Sequence, residues 1–340
     1  MSLRAKFAAR SAALVAAAVG LQFSPAMAQE QGFVQPIQAR ARVFRETGPG
    51  VTSIKRGAAG LHYVLATPAN VITIYGADDK RVGQIPNANS HGAKIIFAQD
   101  FDIDASGRLF VADRGADAVK VFKADGSLEA TIAVPAPSSI VALSGDEFAV
   151  TSLRSDRLVS VYGLKGKLIR GFGNPEGAPE PESTAAALNP SRLFGDPAGH
   201  IFLAFTGTPD PVIRRYDRFG FASYEITLPS EWFTGPAEGR RWDSVTIEKG
   251  GEVSKEKPEI GALAVDTERE QLWAAVADEL IWFDKDGNRR ASYRTATPEG
   301  ARIEGHAILV EPNRILIAAD PIGVFEFARP DGMEPVSTQH

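Results

Sequence analysis

No cysteine occurs in the 340 residues. Disulfides, thiolate nucleophiles and cysteine-bound metals are thereby excluded, and stability must come from packing alone. Excess positive charge is missing too: 37 basic residues face 42 acidic ones, a net charge of −5. That balance argues against nucleic acid and against anionic membrane surfaces as partners. Beyond the N-terminus no apolar run is long enough to span a bilayer. The sequence also lacks HExxH, a GxSxG elbow, a phosphate-binding glycine loop and a dinucleotide fingerprint, which removes the commonest legible enzyme classes.

What is present begins with MSLRAKFAARSAALVAAAVGLQFSPAMAQE. Arg4, Lys6 and Arg10 precede an apolar run from Ala12 to about Phe23, then Pro25 and the small-x-small site Ala26-Met27-Ala28. This pattern predicts a secretory signal peptide over residues 1–28, cut after Ala28. The competing reading is a membrane anchor, for which the apolar core is short. The leader holds three of the basic residues and none of the acidic ones, so its removal takes the charge from −5 to −8. An exported protein follows, periplasmic or extracellular, with no membrane span after the leader is removed. Its remaining residues, 29–340, suffice for one large domain.

The stretch DFDIDASGRLFVADRGADAVKVFKADGSLEATI, residues 100–132, breaks into four short strands joined by turns. Asp104-Ala-Ser-Gly107 and Ala124-Asp-Gly126 supply the tight turns, and Asp113–Asp117 a polar connector. Its third strand, ending in an aromatic before a turn, recurs. The copies are Val71–Tyr75, Val119–Phe122, Val159–Tyr162, Val212–Tyr216, Leu280–Phe283 and Val324–Phe327. A four-stranded meander repeated in this way is the pattern of propeller blades. The fold class predicted is all-β: a six-bladed β-propeller of four-stranded antiparallel blades. The alternative is a pair of β-sandwiches. The last blade lacks an outer strand, and Ala41–Arg45 alternates well with no partner of its own. It is expected to complete that blade and latch the ring.

DIDASGRLFVADRGADAVKVFKADG resembles an NHL repeat, the blade unit of many six-bladed propellers. The resemblance is sharpest in the second blade and extends as architecture over nearly the whole mature chain. Families with this architecture include calcium-dependent lactonases, zinc-dependent amidating lyases, strictosidine-synthase-like proteins and non-catalytic scaffolds. The resemblance thus implies the fold and leaves the activity open.

In the lactonases and lyases that the fold resembles, metal ligands stand near the start of each innermost strand. Here that column reads Thr52, Gln99, Ser139, Ser191, Gly261 and His306. Calcium needs six to eight oxygens and catalytic zinc about three ligands, and the column offers one histidine and no carboxylate. A slip of one residue would bring in Asp100 and Arg192. No cofactor is expected on this reading, with calcium and zinc left open. His306, Gln99 and Asp100 are the catalytic candidates if the protein is an enzyme.

Length variation falls in the inter-blade connectors, at about 173–189 and 229–259, on the rim that also carries the connectors between second and third strands. Long loops on one face of a rigid ring serve binding. Arg114, Arg154, Arg192 and Arg241 are candidates to hold a carboxylate or phosphate there. Trp232 and Trp242 either form a lid or pack against the ring. Most rim aspartates are ordinary turn residues. These readings converge on a monomeric binding or scaffolding module, with a protein partner or small molecule at the channel mouth. The alternative is a lactonase-like hydrolase or lyase with an atypical channel site.

Overall fold

The computed structural model describes residues 34–87, 93–173, 191–205, 211–229, 259–319 and 322–330. It is an all-β propeller of six blades. Two N-terminal strands come first, β1 (Gln35–Gln38) and β2 (Ala41–Val43). Blade one is β3 (Val51–Arg56), β4 (His62–Ala66), β5 (Val71–Tyr75) and β6 (Arg81–Ile85). Blade two is β7 (Ala98–Ile103), β8 (Leu109–Asp113), β9 (Ala118–Phe122) and β10 (Leu128–Ala133). Blade three is β11 (Pro137–Ala142), β12 (Glu147–Ser152), β13 (Val159–Gly163) and β14 (Leu168–Phe172). Blade four is β15 (Ser191–Gly195), β16 (Ile201–Phe205), β17 (Val212–Tyr216) and β18 (Ala222–Thr227). Blade five is β19 (Ile260–Asp266), β20 (Gln271–Val276), β21 (Glu279–Phe283) and β22 (Arg289–Ala296). Blade six contributes β23 (Ala307–Val310), β24 (Arg314–Ala319) and β25 (Gly323–Ala328).

Each blade is antiparallel because tight turns join its strands. In the Asp104–Gly107 turn the Asp104 carboxylate accepts the N–H groups of Ser106 and Arg108, both at 2.9 Å. Gly107 follows at φ +83°, a conformation glycine adopts without a Cβ clash.

A single blade cannot bury both faces, and the burial pattern shows how the ring solves this. Among the described residues six apolar clusters occur, and each is built mainly from two neighbouring blades. The aromatics that end the third strands sit in these seams. Tyr75, Phe122, Tyr216, Phe283 and Phe327 are all buried. Each buried side chain of this size contributes about 1.5–3 kcal/mol.

The ring closes as expected: β2 pairs antiparallel with β25, Ala41 opposite Glu326 and Val43 opposite Val324. One element was not anticipated. β1 runs parallel to β22, with Gln35 opposite Tyr293 and Gln38 opposite Ala296, so blade five has a fifth strand. Residues 35–43 therefore strap blade five to blade six. Phe44 continues the strap onto blade one, where its ring lies 4.5 Å from that of Tyr75 and 5.4 Å from that of His62. The longer insertions, together with Trp232, Trp242, Arg240 and Arg241, lie outside the described residues.

Candidate functional site

The first strands, β3, β7, β11, β15, β19 and β23, pair within their sheets only on the outer side. Their other edge faces the channel, where unpaired N–H and C=O groups are costly. Side chains from the neighbouring blades meet that need. The Asp102 carboxylate accepts the N–H of Ala142 at 2.9 Å. Asp100 accepts the hydroxyl of Ser139 at 2.6 Å, the N–H of Ile140 at 3.3 Å and that of Phe101 at 2.9 Å. Ser139 in turn accepts the N–H of Leu193 at 3.0 Å. Blades two, three and four are thereby chained edge to edge.

Arg192 completes the circuit. Its guanidinium donates to the carbonyl of Thr52 at 2.9 Å, to that of His306 at 3.0 Å, and to that of Gly261. One side chain of blade four thus ties the edges of blades one, five and six. Burial pulls its pKa below the ordinary guanidinium value, and the Asp100 carboxylate opposes that shift. Lys55 lies 3.1 Å from Asp102 and joins blade one to blade two. Burial works against its charge, but Asp102 and Asp100 outweigh it and hold the ammonium above its ordinary value.

The register explains the composition of this layer. The pairing of β3, β7, β11 and β19 slips once near the strand start, leaving Thr52, Gln99, Ser138 and Gly261 as the extra residues. The blade-three member of the expected column is therefore Ser138, not Ser139. A bulge adds one residue to one strand, and counting back from the turns cannot detect it. The next column reads Ser53, Asp100, Ser139, Arg192, Ala262 and Ala307, by their partners on the second strands. Asp100, Ser139 and Arg192 of this second column carry inter-blade bonds, and Asp102 and Lys55 further along their strands add others.

A cavity of about 120 Å³ opens in the channel, lined by Thr52, Lys55, Asp100, Arg192 and His306 among apolar neighbours. Of the catalytic candidates, His306 and Asp100 reach this cavity, whereas Gln99 is half-buried at its bulge and does not line it. The carboxylate of Asp100 is committed to Ser139 and to backbone amides. Among the described residues no group of three or more His, Asp or Glu is placed to hold a metal ion.

The rim bearing the second-to-third-strand connectors has a different character. Arg114 opens a 3-10 turn, Arg114–Ala116, and its guanidinium lies 5.1 Å above the ring centre of Phe97. Arg154 reaches Asp117 at 3.3 Å, bringing the connectors of blades two and three together. Asp113 is buried beneath them and accepts the N–H groups of Ile96 and Phe97 at 3.0 and 2.8 Å and the ammonium of Lys120 at 2.8 Å. That anchor holds Ile96 and Phe97 at the surface, where they are 50% and 39% exposed; Leu153, next to Arg154 in the blade-three connector, is 37% exposed. Arg114 and Arg154 thus share one rim, while Arg192 points into the channel. Ile96, Phe97 and Leu153 escaped the sequence reading. The signal was the apolar run Ile95-Ile96-Phe97 inside a connector, where turn chemistry calls for polar residues.

No family model and no curated protein matches the chain. Solved structures do. A catalytically inactive variant of virginiamycin B lyase from Staphylococcus aureus, determined with quinupristin, matches with a TM-score of 0.52 at 17% identity, over 83% of this chain and 95% of that one. A streptogramin B lyase structure matches with a TM-score of 0.50 at 15% identity, over 83% and 84%. The extracellular domain of a hybrid two-component system from B. thetaiotaomicron matches with a TM-score of 0.50 at 14% identity, over 86% of this chain and 33% of that one. These likenesses establish the six-bladed fold.

Proposed function

We propose that this protein is an exported, monomeric binding or scaffolding module that engages a protein partner or small molecule through its loop-bearing rim. The observation that carries the reading is the exposed pair Ile96 and Phe97 beside Arg114, with exposed Leu153 and Arg154 in the next blade's connector on the same rim. Aromatic and aliphatic side chains beside arginine are the composition of interface centres. The channel supports the same reading, because Lys55, Asp100 and Arg192 are committed to partners in neighbouring blades and to strand edges. The leader-like N-terminus supports export.

Site-specific photocrosslinking in cells tests the proposal. A photoreactive phenylalanine analogue in place of Phe97 should give one discrete adduct. The same analogue at Thr131, on the exposed outer strand of blade two, should give none. Equal adducts at both positions, or none from position 97, would overturn it.

One observation favours a second reading, a hydrolase or lyase working in the channel. His306 lines the cavity, and none of the described residues hydrogen-bonds its imidazole. Turnover of a lactone or cyclic ester by the purified protein, abolished by His306→Ala without loss of the fold, would put that reading first.

A further inference from the structure

The tight-turn face carries a second exposed apolar group, at the seam of blades three and four. The blade-four turn leaves Phe219 61% and Phe221 73% exposed, and β14 opens with Leu168 and Ile169 at 53% and 44%. Arg170 links the two blades, donating to Glu147 at 2.9 Å and to the carbonyl of Arg218 at 2.5 Å. The turn is held in shape from within: the Asp217 carboxylate accepts the N–H groups of Phe219 and Phe221, both at 2.9 Å. Neither phenylalanine belongs to any of the six cores, so the fold gains nothing by displaying them.

The charge of this strip is opposite to that of the chain. Lys165 and Lys167 are exposed on the turn before β14, and Arg218 lies 5.2 Å from the ring centre of Phe219. Among the described residues no carboxylate pairs with Lys165, Lys167 or Arg218. The whole sequence, by contrast, has a net charge of −5. Global acidity argues against anionic surfaces, but a partner meets a local field, and that field fades within about 10 Å at moderate salt.

We infer that this strip docks the ring on an anionic lipid surface, with Phe219 and Phe221 at headgroup depth and Lys165, Lys167 and Arg218 against lipid phosphates. The composition is that of interfacial anchors, in which bulky apolar side chains enter the boundary and basic ones hold the anionic heads. The shape agrees. Leu168 and Ile169 open β14 and Phe219 and Phe221 stand on the turn of the next blade, so the exposed apolar residues spread over two blades, which suits a broad surface better than a pocket. Docking by this face leaves the opposite rim, with Phe97 and Arg114, turned to solution. The inference does not depend on what that rim binds.

Vesicle co-sedimentation of the purified protein provides the test, using phosphatidylcholine vesicles with and without phosphatidylglycerol. Binding should require the anionic lipid and weaken as salt is raised. Phe219→Ser combined with Phe221→Ser should lower the bound fraction about tenfold, and Lys165→Glu with Lys167→Glu similarly. Both variants should keep the wild-type melting temperature, and crosslinking from position 97 should be unchanged. Absence of binding to anionic vesicles, or binding that survives both variants, would overturn the inference. Failure on vesicles together with a discrete protein adduct from a photoreactive residue at position 219 would also overturn it, and would reassign the strip to an acidic protein partner.

Discussion

Arg192 shows how much of the ring rests on one side chain. Three strand-edge carbonyls from three other blades converge on its guanidinium. Arg192→Met keeps most of the volume but leaves those acceptors unpaired in a buried layer. Stability should fall by about 3–5 kcal/mol, measured by urea unfolding. Arg192→Lys should recover only part of this, because an ammonium lacks the planar fork that reaches several acceptors at once. Beside it, Gly261 is fixed by space: a Cβ there would lie 2.0 Å from the carbonyl oxygen of Gly305. Gly261→Ala must move backbone, and we expect a loss of about 1–3 kcal/mol or more. Gly48→Ala, with nothing within 4 Å of the added carbon, should leave the melting temperature nearly unchanged. At this scale the sequence was half legible. Asp100 and Arg192 stood one residue from the expected column, and only the bulges decided which column carries the bonds. Lys55 escaped notice because its partner, Asp102, lies in another blade.

Among the elements, the N-terminal strap was legible where it follows a local rule and illegible where it does not. Ala41–Val43 alternates and meets an outer-strand vacancy that the last repeat plainly leaves, so its place on β25 could be read. Gln35–Gln38 contains Pro36, which reads as a strand breaker, and its pairing with β22 is parallel, so no hairpin turn announces it. A proline is tolerated on an edge strand, where a missing N–H costs little. The two strands should contribute unequally. β1 is largely exposed, with Ile37 packed against the blade-five and blade-six core, whereas β2 ends in buried Val43 and leads into buried Phe44. Deleting residues 29–46 should therefore lower the melting temperature by about 10 °C or more. Deleting only residues 29–38 should cost distinctly less. Equal melting of the long deletion and the full chain, followed by circular dichroism, would show that the ring closes without its strap.

The whole ring is closed twice, once by the strap and once by charge between blades six and one. Glu311 Oε1 lies 3.0 Å from His62 Nε2 and 3.5 Å from Arg56, while its other oxygen accepts from Arg314 at 2.6 Å. Arg314 also grips Asp79 of blade one at 2.9 and 3.1 Å and Glu326 at 3.0 Å. Burial alone would raise the Glu311 pKa, but His62 and Arg314 overcome it and bring the carboxyl from 4.5 to about 2. For a carboxyl depressed in the folded state, the stabilisation is complete above the unfolded value and is lost as pH falls through the folded one. The interval here runs from about pH 4.5 down to about pH 2. A shift of that size corresponds to about 3 kcal/mol. Urea unfolding of the wild type should thus lose stability steeply across this interval. Glu311→Gln should start lower at neutral pH and lose less over the same range, because the group that takes up the proton is gone. Among the described residues the His62 Nδ1 has no hydrogen-bond partner, so its ring is held in the seam by Glu311 at Nε2 and by packing against Phe44. An acid limb equally steep in wild type and Glu311→Gln would move the source of acid sensitivity away from the closing seam and into the other carboxylates of the ring.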